Sequence, residues 1–334
     1  MARVSIIILN YNGKGITTGC LKALAAQSFK DFEALVVDNG SFDDSVYEIK
    51  SFLKETAMAP LVKLISLNKN LGFTGGNLEG FRYAQGEYIA LLNNDAKPDQ
   101  KWLEEMVKAM EGHAEAGICA SKMIAIGSNV IDSAGDGYAT SLKGFKRGEG
   151  ENTSRFNQCE YIFGACAGAA LYRKRMIEEI GFLDNDFFLI HEDTDMNCRA
   201  QLAGWKVIYV PSAIVYHRVS STIGSMSDTA VYYSLRNSEF VRLKNVPVGV
   251  FIKCMPGFLI GMMTEFIYFA LKHKRFILYV RAKMDFLRGI PRMLEKRAVI
   301  MKNMKVDTDY LLSMMTPVWE AGFLKSKINK FLYG

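Results

Sequence analysis

Four short apolar runs near the N-terminus each end in polar or acidic side chains, and this feature limits the possible folds more than any other. The runs are Val4 to Leu9, Glu33 to Val37, Val62 to Leu67 and Tyr88 to Leu92. Amphipathic stretches separate them, an alternation typical of strands and helices built into a mostly parallel sheet. Because such sheets bind ligands at the carboxyl ends of their strands, we expect the functional site there.

Helix signals lie between and beyond these runs. One helix is expected to begin near Thr17 or Thr18 and to bury Leu21, Leu24 and Ala25 on one face. A second follows the segment 41–44, Ser-Phe-Asp-Asp, whose hydroxyl and carboxylates can cap its free amides. Later segments predict two helices and then a strand closed by Pro211: Arg173 to Ile180, Glu192 to Ala203, and Lys206 to Val210.

The middle of the chain, from about Gly127 to Ala170, is rich in Gly, Ser and Asn. This composition predicts a loop. Because the segment is too long for an inert connector, we expect it to face a substrate.

The six cysteines include no C-x-x-C pair and no framework of the kind found in small secreted domains, so we expect reduced thiols in a cytosolic protein. The opening apolar run is too short for a signal peptide or a membrane span.

The C-terminal third is basic and amphipathic. Residues 240–305 hold fourteen Lys and Arg against three Asp and Glu, although the whole chain has a net charge of only +6. From Val246 onward apolar clusters alternate with basic residues, while Lys253, Pro256 and Glu265 interrupt the apolar stretch that a spanning helix needs.

We therefore expect this region to form helices that lie on an anionic membrane surface, at the inner face of the cell membrane, rather than to bind nucleic acid. The alternative is a packing arm or a homodimer surface. The predicted division is a catalytic domain over 1–245 and a basic helical region over 246–334.

Asp95 carries the strongest chemical signal. It follows the apolar run Tyr88 to Leu92 and precedes a turn at Pro98, so its carboxylate should emerge at the ligand edge of the sheet. A hard divalent cation takes oxygen ligands and bridges carboxylates to a diphosphate. The alternative is a helix cap, although Asp99 already serves as a candidate for that role.

Three further segments carry weaker signals when each is taken alone. Asp38 ends a strand and can accept a hydrogen bond from uracil or thymine, or it can cap a turn. The segment 68–77 places flexible glycines just before a helix, which suits a ligand or a tight turn. His217 follows a strand-like run and can complete a metal shell with Asp95 or be structural.

A second acidic group opens a predicted helix at Glu192, Asp193 and Asp195. Carboxylates are favoured there by the helix dipole, but three acids exceed what a cap needs, so one can act as a general base. The triplet 184–186, Asp-Asn-Asp, lacks a preceding apolar strand and is interpreted as a decoy.

Together these segments resemble the family 2 inverting glycosyltransferases, especially their bacterial rhamnosyltransferase-like branch. The resemblance spans about Val4 to Asn245. It rests on the motifs at 5–12, 36–41, 70–77, 92–95, 164–166, 192–195 and 233–237 in the family's order.

The resemblance implies a nucleotide-sugar-binding glycosyltransferase A-type fold. Asn10 and Asp38 would hold the base, Asn70 and Asn77 would lie along the nucleotide, and Asp95 would bind Mg²⁺ or Mn²⁺, with His217 a further metal ligand. Asp193 would be the general base. The donor side would also include Tyr11, Gly75, Asn93 and Asn94, and the acceptor side Gly164, Ala165, Cys166 and Glu192.

The implied reaction is a direct displacement with inversion. L-rhamnose from dTDP-rhamnose is the first expectation and a UDP-hexose or UDP-galactofuranose the second. The expected acceptor is a growing surface glycan, which can be lipid-linked. Asn93 replaces the first acid of the family's D-x-D motif and leaves one carboxylate for the metal.

Two rival functions stay open. A nucleotidyltransferase usually needs a basic glycine-rich loop, whereas the segment 10–14 supplies only Lys14. A non-catalytic membrane scaffold would not need Asp95, Asp193 and His217.

Overall fold

The computed structural model describes residues 2–218, 226–320 and 322. Its N-terminal part alternates strands and helices as the sequence predicts, and the four predicted strands are all present. The elements are β1 (Val4–Asn10), α1 (Thr17–Ala25), β2 (Phe32–Asp38), α2 (Ser45–Glu55), β3 (Val62–Ser66), α3 (Gly72–Phe81), β4 (Tyr88–Leu92), β5 (Ala96–Pro98) and α4 (Trp102–Gly112).

The middle and later segments add more strands than the sequence suggests. The elements are β6 (Ala116–Ala125), β7 (Ile131–Ser133), β8 (Asp136–Ala139), β9 (Lys143–Lys146), β10 (Glu160–Ile162), β11 (Ala169–Arg173), α5 (Lys174–Ile180), α6 (Glu192–Leu202) and β12 (Lys206–His217). The expectation of a loop over 127–170 is therefore wrong, because four short strands lie in that range and a fifth, β11, begins at its end.

One large sheet organises the chain in the order β10-β12-β6-β11-β4-β1-β2-β3. Strands β4, β1, β2 and β3 are parallel, whereas β11 runs antiparallel to both β4 and β6. The α/β class is confirmed, with a parallel N-terminal half and a mixed remainder.

Helices cover both faces of this sheet. Within β1, Ile6 and Ile8 pack with α1, α2 and α4, while Ile7 faces the opposite cluster with α3, α5 and α6. Because both faces are buried, the strand is apolar throughout rather than alternating.

Strand β12 continues through Pro211, contrary to the prediction that this proline ends it. The pairing with β6 shifts register between Val210 and Ile214. Because proline lacks an N–H group, an irregularity of this kind is where a strand tolerates it. The longer strand delivers His217 to the sheet edge.

A small hairpin, β8 with β9, stands apart from the main sheet. Asp136 and Lys146 face each other at its open end. Its tip lies against a C-terminal helix: a Cβ added to Gly257 would come within 2.7 Å of the Thr140 carbonyl oxygen.

The C-terminal region is helical. It comprises α7 (Asp228–Asn245), α8 (Val248–Phe266) with a π-helical continuation to Lys272, α9 (Phe276–Lys302) and α10 (Thr308–Met314). Lys253 and Pro256 do not interrupt α8, so the expectation of a broken apolar stretch is wrong.

The two predicted parts share a hydrophobic core. Phe163 and Phe187 of the N-terminal part pack in one cluster with Val250, Cys254 and Met293. The division at residue 246 stays a prediction, and residues 321 and 323–334 of the second part lie outside the described residues.

Candidate active site

The ends of β1 and β2 place Asn10 beside Asp38, because these two residues are register partners in adjacent parallel strands. The Asn10 amide donates to Asp38 Oδ1 at 2.8 Å, and the Thr17 hydroxyl donates to Asn10 Oδ1 at 2.6 Å. Ser41 also donates to Asp38 Oδ1, at 2.5 Å. Asn10 is fully buried, so its side chain fixes the Asp38 carboxylate.

Two aromatic rings stand next to this carboxylate. Tyr11 and Phe42 meet edge to face with their centroids 6.3 Å apart. Phe42 is 83% exposed, which is unusual for a phenylalanine. The sequence motifs point to Tyr11 but not to Phe42, because the segment 41–44 carries only a capping signal.

The glycine-rich segment does not precede α3 but forms its first turns, which corrects the sequence prediction. A side chain on Gly76 would overlap Leu9 of β1, and one on Gly75 would lie 2.7 Å from Leu71 Cβ. The glycines therefore allow α3 to pack closely on the sheet. The Asn77 amide donates to the Phe73 carbonyl within the same helix, at 2.8 Å.

Asn70 joins this helix to the end of β2. Its Oδ1 accepts a hydrogen bond from the Asn39 amide at 2.9 Å and another from the Gly72 N–H at 2.7 Å. The start of α3 is thus fixed beside the Asp38 loop.

Asp95 and His217 are brought together by β5 and β12, which pair so that Ala96 lies opposite His217. His217 Nε2 is 3.1 Å from Asp95 Oδ1 and 3.4 Å from the Asn93 amide nitrogen. The Asn94 amide instead donates to the Thr17 hydroxyl at 3.0 Å.

Asp132 of β7 supports His217 from the other side, with His217 Nδ1 2.9 Å from Asp132 Oδ2. Lys146 donates to the other oxygen of Asp132 at 2.6 Å. Burial lowers the pKa of His217, but hydrogen bonds to Asp132 and Asp95 outweigh it and raise the pKa to about 9. Sequence reasoning missed Asp132 and Lys146 because both lie in the segment interpreted as a loop.

The Asp95–His217 pair fits a divalent ion through its chemistry and spacing. Neighbouring ligands of an octahedral ion with bonds near 2.1 Å lie roughly 3 Å apart, close to the observed 3.1 Å between Asp95 and His217. The contact of Nδ1 with Asp132 leaves Nε2 as the ligand atom of a neutral ring. Within the described residues no three His, Cys, Asp or Glu side chains form a metal-holding group. Donor phosphates and water would complete the shell.

A small cavity of about 70 Å³ opens beside Asp95. Lys97 and Arg218 both line it, together with Gly15 and Gly19 of the α1 side. The backbone N–H of Arg218 donates to the Asp95 carbonyl at 3.1 Å. This bond fixes Arg218 next to the Asp95–His217 pair. Two cations beside a carboxylate suit a diphosphate. Neither Lys97 nor Arg218 belongs to a motif that the sequence reveals.

Asp193 lies in the first turn of α6. Its carboxylate accepts a hydrogen bond from the backbone N–H group of Thr194, at 2.7 Å, and the nearby N–H group of Ala167 also lowers its pKa. The carbonyl of the next residue, Gly168, accepts from the Asn93 N–H at 2.8 Å. Ala167 and Gly168 therefore lie between the segment 93–95 and Asp193.

Buried carboxyl groups surround Asp193. Burial raises the pKa of Asp193, although hydrogen bonds from Thr194 and Ala167 lower it in part. Burial and the Asp193 charge raise the pKa of Asp136, and the same two causes raise that of Glu192. Asp136 and Asp193 influence each other's charge. Because backbone N–H groups stabilise the charged form of Asp193, Asp136 is the one of these two groups that holds a proton more readily.

The third acid of the group, Asp195, has a structural role. It is fully buried, and it pairs with Arg199 at 2.9 Å and with Lys244 at 2.9 Å. Asp184 pairs with Lys244 at 2.5 Å, and Asp186 with Arg292 at 2.7 Å. These ion pairs explain the 184–186 triplet without a ligand.

The predicted acceptor residues 164–166 lie against α6. The Asn197 side chain accepts from the Ala165 N–H at 3.1 Å and donates to the Ala165 carbonyl at 3.0 Å. A side chain on Gly164 would overlap Asn197. Small residues are therefore required here for packing, while Cys166 is half-buried. Each of the six cysteines lies in the described part of the chain and is a free thiol.

The parallel strands with polar residues at their ends, the mixed remainder of the sheet and the helices on both faces form a glycosyltransferase A-type fold. Comparison with known proteins agrees. The family model "Glycosyl transferase family 2" matches residues 5–181, and the chain belongs to this family. It is a glycosyltransferase.

Three relatives illustrate the likeness. The amylovoran biosynthesis glycosyltransferase AmsB of Erwinia amylovora is 24% identical over 69% of this chain and 75% of its own. A GalNAc(5)-diNAcBac-PP-undecaprenol beta-1,3-glucosyltransferase of Campylobacter jejuni is 23% identical over 70% and 71%. The crystal structure of S. aureus TarS 1–349 in complex with UDP-GlcNAc superposes with a TM-score of 0.59 at 17% identity, over 93% of this chain and 89% of the other.

Proposed function

We propose that this glycosyltransferase inverts the anomeric centre of a nucleotide-diphosphate sugar as it transfers that sugar to a hydroxyl of a growing surface glycan. The observation that carries the proposal is the link through Ala167 and Gly168. Gly168 accepts a hydrogen bond from the Asn93 backbone beside the Asp95–His217 pair, and the N–H group of its neighbour Ala167 favours the charged form of Asp193. Leaving-group chemistry and proton removal thus occur at neighbouring points.

Asp193 is the proposed general base. It accepts the proton of the acceptor hydroxyl while that oxygen forms a bond to the anomeric carbon and the bond from that carbon to the diphosphate oxygen breaks. The nucleoside diphosphate leaves with the electron pair. Burial raises the pKa of Asp193, which makes its carboxylate a stronger base than an exposed aspartate.

Asp95 and His217 would hold Mg²⁺ or Mn²⁺, which supplies positive charge at the departing diphosphate. Lys97 and Arg218 line the same cavity and add charge there from the chain itself. On the nucleoside side, Asp38 accepts from the base and the Tyr11–Phe42 pair offers aromatic surface.

The donor sugar is the finer part of the proposal. L-rhamnose was the expectation from resemblance, but a UDP-hexose now has more support, because one relative's name is that of a glucosyltransferase and the TarS structure contains UDP-GlcNAc. One relative's name refers to amylovoran biosynthesis, and another's refers to an undecaprenol-linked sugar chain. These names support a surface glycan as the acceptor of this chain, either free or lipid-linked.

The decisive experiment measures sugar transfer and nucleotide binding in the same variants. Asp193→Asn should lower transfer by about 10²–10⁴-fold with nucleotide affinity unchanged. The control Asp309→Asn changes an acid that is 83% exposed on α10 and should leave both quantities unchanged. Full transfer by Asp193→Asn would refute the assignment.

Screening dTDP-rhamnose, UDP-galactofuranose and UDP-hexoses by thermal shift identifies the donor.

A second part of the proposal is that the C-terminal helical region binds a membrane surface. Val248–Lys272 is long and apolar enough to cross a bilayer by length and composition, and 22% of its apolar window is buried. Along α8 and its continuation, exposed apolar side chains recur every four or seven residues and so form one stripe: Ile252, Leu259, Met263, Ile267 and Leu271.

The opposite face of α8 is committed to protein. Glu265 is buried and pairs with Lys143 at 2.7 Å and Lys283 at 2.9 Å. A helix held in this way lies on a bilayer more readily than it crosses one.

Charge contributes less to this binding than the sequence suggests. Many of the C-terminal cations pair with acids of the protein itself, as Lys244, Lys296 and Arg242 do. The apolar stripe therefore carries this part of the proposal.

Flotation with vesicles of 30% anionic lipid tests it. Replacing Leu259 and Met263 by aspartate should abolish flotation and leave transfer to a water-soluble acceptor unchanged. Unchanged flotation would favour the packing-arm or dimer alternative.

A further inference from the structure

The loop that leads into α6 has an uncommon backbone. Phe188, Ile190 and His191 have φ angles of 62°, 65° and 70°, although none of them is glycine. Bulky and β-branched residues rarely adopt this left-handed conformation, so contacts from the surroundings must hold it. The loop ends two residues before Asp193, and the Asp195 N–H bonds to the His191 carbonyl at 2.9 Å. Its conformation therefore sets where the first turn of α6 begins.

Asn237 of α7 supplies these contacts. Its side chain is completely buried, and its amide nitrogen lies 2.9 Å from the Phe187 carbonyl, 2.8 Å from that of Leu189 and 2.8 Å from that of Ile190. Three carbonyls of the strained loop thus converge on a single amide group. The other side of the Asn237 amide is also paired, since its Oδ1 accepts from Arg236 Nε at 2.9 Å.

Arg236 extends the same support by one residue. Its Nη2 donates to the Asp186 carbonyl at 2.8 Å, and its guanidinium lies 4.9 Å from the centre of the Tyr233 ring. Tyr233 in turn stacks on Phe188, with centroids 5.2 Å apart and planes 18° from parallel. One face of α7 therefore contacts the loop through backbone and side chains.

The other side of the loop contacts α3. The Thr74 N–H donates to the Phe188 carbonyl at 3.1 Å. Gly72 has a φ of +74°, and a side chain there would overlap Phe188. The loop is therefore enclosed between the start of α3 and the middle of α7.

We propose that Asn237 is a positioning residue for the transfer reaction, which acts through the 187–191 loop to aim the Asp193 carboxylate. This inference rests on the proposed role of Asp193 as the general base. Proton removal requires the base to meet the acceptor hydroxyl within hydrogen-bond reach. When Asn237 no longer holds the three carbonyls, the left-handed residues relax and the first turn of α6 shifts with them.

The experiment compares kinetics of the full-length chain with nucleotide binding at equilibrium. Asn237→Ala should lower kcat by about 10–100-fold, the range expected for a displaced catalytic group, with the dissociation constant of the nucleoside diphosphate within about twofold of wild type. Ser238→Ala is the matched control. Ser238 is also buried in α7, but its hydroxyl bonds to the Leu235 carbonyl of its own helix, so kcat should stay unchanged.

A double variant separates positioning from general damage. If Asn237 acts through Asp193, then Asn237→Ala should lower the residual rate of Asp193→Asn by less than about threefold, because the group that it aims is already lost. A further drop as large as that in the wild-type background would overturn the proposal, as would a wild-type kcat for Asn237→Ala.

If Asn237→Ala does not fold, Arg236→Lys takes its place, since Arg236 is only partly buried. A lower kcat with unchanged nucleotide binding supports the proposal, and an unchanged kcat overturns it. Asp193→Asn alone tests the base: if it is inactive while Asn237→Ala is fully active, only this inference fails, whereas if it is fully active, the proposed function fails.

Discussion

Metal binding at the Asp95–His217 pair should depend steeply on pH. The pKa of His217 is raised to about 9, so at pH 7 the ring is protonated and both nitrogens face carboxylates. A metal ion takes the Nε2 lone pair and must displace that proton. Because only about 1 ring in 100 is neutral two pH units below its pKa, the apparent affinity should rise about tenfold per pH unit and level off above about pH 9.

Calorimetric titration with Mg²⁺ at a fixed UDP concentration, between pH 7 and 8.5, measures this directly. The expected rise is roughly 30-fold over that interval, one proton being released per ion bound. His217→Gln keeps a polar side chain without a titrating ring and should remove the slope. Asp132→Asn should make the curve level off at a lower pH and weaken binding there by about 10–100-fold. An affinity independent of pH in the wild type would refute the reasoning.

Two stability predictions follow from buried groups. Burial raises the pKa of Glu265, but Lys143, Lys283 and Arg242 outweigh it and hold the pKa well below the usual value, so its contribution is present above about pH 4.3 and is lost as the pH falls through the folded-state pKa. Glu265→Gln should therefore lower the unfolding free energy by about 3 kcal/mol at pH 7, seen as a lower Tm, with a smaller gap from wild type near pH 3; an equal gap at both pH values would contradict this. Gly76→Ala should cost about 1–3 kcal/mol because a side chain there overlaps Leu9, whereas Gly112→Ala, with open space around it, should be neutral or stabilising in the same thermal melts. A third prediction concerns the cavity beside Asp95: Lys97→Ala should raise the KM of the donor several-fold at low salt and less at high salt, and a change independent of salt would argue against a phosphate contact.

The N-terminal half of the sheet could be predicted because three of its four strands, β1, β2 and β4, are buried on both faces. Such strands are continuous apolar runs with clear ends, and the polar residue after each run falls at the ligand edge. Asp38 and Asp95 were found in this way. Their exact partners were not, since the pairing of Asn10 with Asp38 depends on register between strands 28 residues apart in sequence.

The middle of the chain could not be read by the same reasoning. Strands of three or four residues separated by glycines carry too little periodicity to be told from a loop. Asp132, Asp136 and Lys146 lie on those short strands, so the second carboxylate of the His217 site and the neighbour of Asp193 were both missed. The role of Asn237 depends on contacts made across about fifty residues of sequence, which no local pattern reveals.

The β8–β9 hairpin has a mechanical consequence. Its open end holds Asp136 beside Asp193, and Lys146 beside Asp132, while its tip presses on the Gly257 face of α8. Lys143 adds an ion pair from the same hairpin to Glu265. The hairpin is thus about four residues long. Its open end contacts the carboxylates, and its tip contacts the helix that bears the apolar stripe. A substitution in α8 that alters this contact therefore acts on the same hairpin that carries Asp136 and Lys146.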